Sequence, residues 1–326
     1  FWKVTNADVG VWHEPNDRMR HERSCFDVTY TSNAFGMRDA AVEKDGAARR
    51  VVVLGDSFVE GWGVSDVDRF TEVLERKTGI EHLNFGTSGG FGTTQSYILY
   101  KTLAAGFTHD AVIFVILPDN DFADDTPSES DLGPDGRWRP FLVGTYPDYT
   151  LTYPAREFSP DRQAGRSIPV LLNEFWLTAR VFNHYKAYFR EMARLKAQQE
   201  NGDGKGASTF SGYFNYGKEQ FQRLRYAIEK IQEIGGERPL LVVTIPRPSD
   251  YRRAAKEGIE PPIRRDMSAL AKENGFAYVD LMTAMPDDES LQGYFHDCDG
   301  HWSPAGHVKV ADIIAGWDYF ASPDRK

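Results

Sequence analysis

Five short apolar segments punctuate the chain: Val51 to Leu54, His82 to Phe85, Ala111 to Leu117, Leu240 to Ile245 and Phe276 to Leu281. Each ends in a turn or a polar cluster. They are rich in Val, Ile and Phe and show little alternation, which is how a parallel strand buried on both faces reads. Between them, apolar residues recur at helical spacing. Phe70, Val73 and Leu74 open one such stretch, and Tyr97, Leu99 and Leu103 lie in a second. Phe221, Leu224, Ile228 and Ile231 mark a third, Met267 and Leu270 a fourth, and a last helix opens at Ser303-Pro304 and runs to Ile314. The alternation predicts an α/β protein with a doubly wound parallel sheet.

Two regions fall outside that alternation. Residues 1–48 read as an N-terminal arm packing on the core, with one β-like stretch from Phe26 to Thr31. Residues 49–326 form the main domain, carrying an insertion at about 122–215 between the third and fourth strands. The first half of the insertion is rich in Pro, Gly, Asp and Tyr and reads as loop. In its second half, Ser167 and Pro169 give helix start signals, and Leu172, Phe175, Trp176, Ala179, Phe182, Phe189 and Met192 follow at helical spacing. The run from Asn201 to Gly206 breaks that helix and reads as a mobile loop.

Composition narrows the function class. The chain has 326 residues, 41% hydrophobic and 26% charged, with 38 Lys plus Arg against 48 Asp plus Glu and a formal net charge of −10. That is an ordinary globular composition, long enough to bury a full core without staples. An acidic balance argues against a non-specific nucleic-acid binder. Two cysteines, Cys25 and Cys298, make neither a disulfide framework nor a structural zinc site, and both are expected to be buried free thiols. If they pair, the arm is tied over the active-site edge. The first residue is Phe1, so a signal peptide or membrane anchor is expected to have been removed, and an extracytoplasmic location is favoured over a cytoplasmic one.

Chemistry gathers where strands end. The first strand runs into Gly55-Asp56-Ser57, the second into Asn84-Phe-Gly-Thr-Ser-Gly-Gly90, the third into Asp119-Asn120-Asp121, and the fifth is followed by Asp299-Gly-His301-Trp302. With strand order 2-1-3-4-5, Ser57 and Asn120 face each other at the topological switch point, where doubly wound proteins bind ligands. The parts match acyl transfer. A serine hydroxyl is a weak nucleophile until a base such as His301 takes its proton. A carboxylate such as Asp299 fixes the imidazole tautomer. The N–H groups of Ser57 and Gly89 and the amide of Asn120 suit a developing oxyanion. Trp62, Phe91 and Trp302 stand beside these blocks and are candidates for a substrate platform, or else loop packing.

In order and spacing, Gly55-Asp56-Ser57, Asn84-x-Gly-x-x-Gly89, Asn120-Asp121 and Asp299-x-His301 resemble the four signature blocks of the SGNH (GDSL-type) hydrolase superfamily. The arm segment Thr31-Ser-Asn-Ala-Phe-Gly-Met-Arg-Asp39 is similar to that of bacterial, often membrane-anchored members linked to exopolysaccharide or envelope metabolism. The resemblance implies a flavodoxin-like three-layer αβα sandwich around a five-stranded parallel sheet. It also implies Ser57 as nucleophile, His301 as base, Gly89 and Asn120 as oxyanion donors, and no metal or other cofactor. Two departures stand out. The usual ending is Asp-x-x-His, but Cys298 occupies that place, leaving Asp299 or Asp297 to pair with His301. The Asp-x-His-Trp form resembles SGNH-like alginate O-acetyltransferases, and the shorter spacing favours Asp299. Leu117-Pro118-Asp119 stands where the family often has glycine, which puts the shape of that loop in question.

The resulting expectation is a serine esterase acting on O-acetyl groups of a carbohydrate through an acyl-enzyme. The alternatives are an O-acetyltransferase using the same residues, a non-catalytic carbohydrate-binding protein on the same fold, and a metal site built from His296, Asp297, Asp299 and His301. Sequence leaves the oligomeric state open.

Overall fold

The structure, a computed structural model, describes residues 1–46, 48–160, 211–285 and 291–321. The expected helix from Ser167 and the expected break at Asn201–Gly206 lie outside the described residues.

The five apolar segments form one parallel sheet. Numbering every strand along the chain, its members are β5 (Arg50–Gly55), β6 (Glu81–Gly86), β7 (Ala111–Ile116), β10 (Leu240–Thr244) and β11 (Ala277–Asp280). Their order is β11-β10-β7-β5-β6, with Val52 of β5 beside Leu83 on one side and Val112 on the other. Every residue of β5, β7 and β10 is buried, as unbroken apolar runs require. Each buried Val or Ile stabilises the fold by about 1.5–3 kcal/mol.

The helices close the two faces of a three-layer αβα sandwich. Along the chain they are α1 (Ser57–Glu60), α2 (Phe70–Thr78), α3 (Thr93–Thr102), α4 (Pro118–Asp124), α5 (Glu129–Leu132), α6 (Lys218–Gly235), α7 (Pro248–Glu257), α8 (Pro262–Asn274), α9 (Leu281–Ala284), α10 (Pro304–Ala315) and α11 (Asp318–Ala321). Helix α2 packs on α10, and α3 on α6. The predicted apolar stripes are the buried ones: Leu224, Ile228 and Ile231 in α6, Met267 and Leu270 in α8. Ser303 caps α10, its Oγ accepting from Gly306 N–H at 3.2 Å, with Pro304 at the first helical position.

Two regions are more ordered than their sequence reads. The arm holds two antiparallel hairpins, β1 (Trp2–Asn6) with β2 (Gly10–His13) and β3 (Arg18–Glu22) with β4 (Asp27–Thr31), of which only β4 was legible. The expected loop of 122–160 contains α5 and a further hairpin, β8 (Phe141–Thr145) with β9 (Asp148–Thr152). Phe141 and Leu142 anchor that hairpin in the interior.

Candidate active site

Helix α1 starts at the end of the central strand and fixes Ser57 at its first position. Asp56 is the cap, its Oδ1 accepting from Phe58 N–H at 2.9 Å. Gly55 has φ +158, and a side chain there would collide with Val59 and the Val115 carbonyl. Asp56 is therefore structural, and Ser57 is free to face outward. Burial pushes the Asp56 carboxyl up to about 6, against the pull of the Phe58 N–H and the charges of His301 and Arg247.

His301 comes from a tight turn. Its backbone carbonyl accepts from His296 N–H at 2.7 Å, and Gly300, at φ +78, donates to His296 O at 3.0 Å. The turn brings His301 Nε2 to 2.8 Å from Ser57 Oγ. On the far side of the ring, His301 Nδ1 lies within ion-pair distance, 3.3 Å, of Asp299 Oδ1, which accepts a hydrogen bond from His301 N–H at 3.1 Å. With its proton on Nδ1, the imidazole presents a bare Nε2 to the serine hydroxyl. Burial raises the Asp299 carboxyl, but the His301 imidazole and N–H and the Trp62 indole outweigh it and hold it down at about 2. Asp297 is exposed and makes no hydrogen bond or ion pair with His301 among the described residues.

The other two blocks reach the same edge. Gly89 adopts φ +100, its carbonyl accepting from Arg137 at 2.7 Å. Asn120 lies in the first turn of α4, with its N–H on Leu117 O at 3.0 Å. Pro118 in place of glycine starts that helix, and Asp121 clamps it by accepting from Leu117 N–H at 2.9 Å. Burial, and then the charges of Asp56, Asp125 and Asp124, push the Asp121 carboxyl well up. The Ser57 N–H, the Gly89 N–H and the Asn120 side-chain amide have no acceptor among the described residues.

The sequence model of the GDSL-like lipase/acylhydrolase family matches residues 53–309, a span that includes all four of these blocks. The chain belongs to this family. This GDSL-like acylhydrolase is therefore an SGNH-type hydrolase, with the fold that its sheet order displays. Solved structures similar to it include the lipase/acylhydrolase from Enterococcus faecalis, at 14% identity and TM-score 0.43, covering 85% of this chain and 100% of that one. A member of the lipolytic protein G-D-S-L family from Veillonella parvula matches at 10% identity and TM-score 0.42, covering 83% and 99%. A carbohydrate esterase family 2 enzyme with a carbohydrate binding domain, from Corynascus thermopiles, matches at 12% identity and TM-score 0.42, covering 90% and 70%. A search of curated proteins returned no match.

In this acylhydrolase the platform expectation for Phe91 and Trp302 and the free-thiol expectation for the cysteines need correction. Phe91 and Trp302 are buried in the core, Trp302 against Phe58 and Phe70, so neither offers a face to substrate. Trp62 is half-buried between Trp2 and His301, its rings occupied by the protein itself. The cysteines are neither free nor buried: Cys25 and Cys298 form a disulfide, Cα atoms 5.8 Å apart, tying the turn after β3 to the residue before Asp299. Sequence reasoning also missed a buried carboxylate beneath the Gly89 loop. Glu60, on α1, accepts from Trp2 Nε1 at 2.7 Å and from Ser88 Oγ, and pairs with His13 at 3.1 Å. Its place three residues after Ser57 was the available signal.

Proposed function

We propose that this acylhydrolase is a serine esterase that removes O-acetyl groups from a carbohydrate. The observation that carries the proposal is Ser57 Oγ at 2.8 Å from His301 Nε2, with Asp299 behind the ring at 3.3 Å. In this reading Ser57 Oγ attacks the ester carbonyl carbon while its proton passes to Nε2. Asp299 stabilises the imidazolium, and the N–H groups of Ser57 and Gly89 with the Asn120 amide receive the oxyanion. Collapse breaks the bond to the sugar oxygen, which takes the proton from His301. Water then attacks the acyl-serine with His301 again as base, releasing acetate and restoring Ser57.

A short acyl group is favoured by what surrounds the site. The exposed large apolar side chains among the described residues are Val67, Leu151, Ile259 and Val308, none in the four loops that hold Ser57, Gly89, Asn120 and His301. Among the described residues, these loops offer a long chain little exposed apolar surface to bury. An extracytoplasmic location belongs to the same proposal, supported by a disulfide with one exposed cysteine, a bond that reducing compartments rarely preserve.

Ser57→Ala tests the nucleophile. It is expected to abolish hydrolysis of p-nitrophenyl acetate and labelling by a fluorophosphonate, the label otherwise mapping to Ser57 by peptide mass spectrometry. Retained turnover would end the serine reading. A series of p-nitrophenyl esters and an acetylated polysaccharide then test the substrate. Faster turnover of long-chain esters than of acetate would overturn the acetyl assignment.

A further inference from the structure

The arm motif Thr31 to Asp39 and the ring of Trp62 are left without a part in the chemistry above, and Arg38 of the motif binds the backbone on either side of Trp62. Arg38 is fully buried, its guanidinium 3.5 Å from the Tyr30 ring centroid. It donates to the carbonyls of Glu60 at 3.1 Å, of Val64 at 2.6 Å and of Gly61, which fixes both ends of the loop carrying Trp62. Trp62 N–H bonds Ser57 O at 2.9 Å. The indole lies between two other rings, 5.1 Å from Trp2 at 26° and 5.2 Å from His301 at 24°. His21 meets it edge-on at 4.4 Å. Trp2 and His21 from the arm and His301 from its turn thus hold the ring, while Arg38 and the Ser57 carbonyl hold its backbone.

In that orientation Trp62 Nε1 donates to Asp299 Oδ2 at 2.5 Å. Oδ1 faces His301 Nδ1 and N–H, so among the described residues the indole is the hydrogen-bond donor to the other oxygen. Without it, rotation about the Asp299 side chain has no opposing bond on Oδ2.

We propose that Trp62 is a positioning residue for the acid–base pair: its indole N–H locks the Asp299 carboxylate toward His301 while its face holds the imidazole plane, and the N-terminal arm sets the indole. The inference rests on the Ser57–His301–Asp299 reading. It separates Trp62 from a substrate platform, since a platform residue acts on KM and a positioning residue on kcat.

Trp62→Phe keeps a ring and removes the donor. With p-nitrophenyl acetate we expect kcat to fall by ~10–100-fold, the scale of one hydrogen bond to a charged group, with KM essentially unchanged. Trp62→Phe combined with Asp299→Asn should be no slower than Asp299→Asn alone, because the first substitution acts only through the second residue. A raised KM at unchanged kcat, an unaltered kcat, or losses that multiply in the double variant would each overturn the proposal. A second measurement needs neither activity nor a folded Trp62 variant. In the full chain, the Trp62 indole proton, assigned through its contacts with Trp2 and His301, should resonate downfield and move upfield in Asp299→Ala. No movement would overturn the proposal even if Ser57 proves to be the nucleophile. Conversely, activity retained in Ser57→Ala would remove the serine reading while leaving this contact to stand or fall on its own signal.

Discussion

Two aspartates, two and four residues before His301, separate cleanly once the turn is drawn. Asp299 accepts from the Trp62 indole and the His301 N–H and its carboxyl is held down at about 2, whereas Asp297 faces solvent. Asp299→Asn keeps the shape but removes the charge facing the imidazole, so kcat should fall by about 10³–10⁴-fold. Asp297→Asn should leave kcat within about twofold, because the side chain of a solvated surface residue has little to lose. Comparable losses in both would contradict the geometry. Asn120→Ala should lower kcat on the order of 10²–10³-fold with a small change in KM, as for other single oxyanion donors. Steady-state kinetics on p-nitrophenyl acetate check all three. Residue chemistry of this kind was legible because Ser57, Gly89 and Asn120 each follow directly on a strand of the sheet and the Asp299–His301 pair stands just ahead of the last helix. The job of Trp62 was not legible, because a tryptophan's partner depends on the fold and its own position in the chain names none.

Elements that bury a continuous apolar face announce themselves. Val51 to Leu54 reads as a central strand because nothing polar interrupts it, and α6 shows its stripe over five turns. The arm's hairpins do not. Arg18 to Glu22 is mostly exposed, pairs only with Asp27 to Thr31, and carries charges on either side of Met19. Its anchorage is partly covalent, which no periodicity encodes. The Cys25–Cys298 bond closes a separation of 273 residues and lands beside Asp299. A Cys25→Ser/Cys298→Ser chain should lose about 2–4 kcal/mol of stability by urea unfolding, the usual contribution of a cross-link over a long loop. It should also lose kcat, since the turn bearing Asp299 and His301 loses its covalent tie to the arm and is left with noncovalent contacts such as the Trp62–Asp299 bond and the packing of Phe26 on His296 at 5.2 Å. Full activity in that variant, or in reduced wild type, would show that the turn is self-sufficient.

Across the whole molecule, burial has been imposed on acids and bases alike, and their effects on stability oppose one another. Burial raises Asp39 to about 7 and Asp56 and Asp250 to about 6, from 3.8. Between pH 4 and these values the native chain keeps protons that the unfolded chain has released, so stability falls as pH rises. Burial lowers His21 and His82 to about 4, from 6.5, and His307 well below its ordinary value. Over almost the same range the unfolded chain now binds protons that the native chain refuses, so these groups make stability rise with pH. His82 shows why: Nδ1 is satisfied by Ile80 O at 2.6 Å, while buried Nε2 has no partner among the described residues to receive a proton's charge. Removing one class should tilt the balance. His82→Phe should raise stability at acid pH relative to neutral pH, compared with wild type, whatever its absolute packing cost. Asp250→Asn, which loses a carboxylate bonded by Ser211 and the Arg247 N–H, should tilt it the other way. Urea unfolding of the three chains at about pH 4.5 and 7.5 isolates the effect, because the difference between the two pH values cancels any change in packing that does not titrate. A slope unchanged by either substitution would mean that these side chains exchange protons equally in both states.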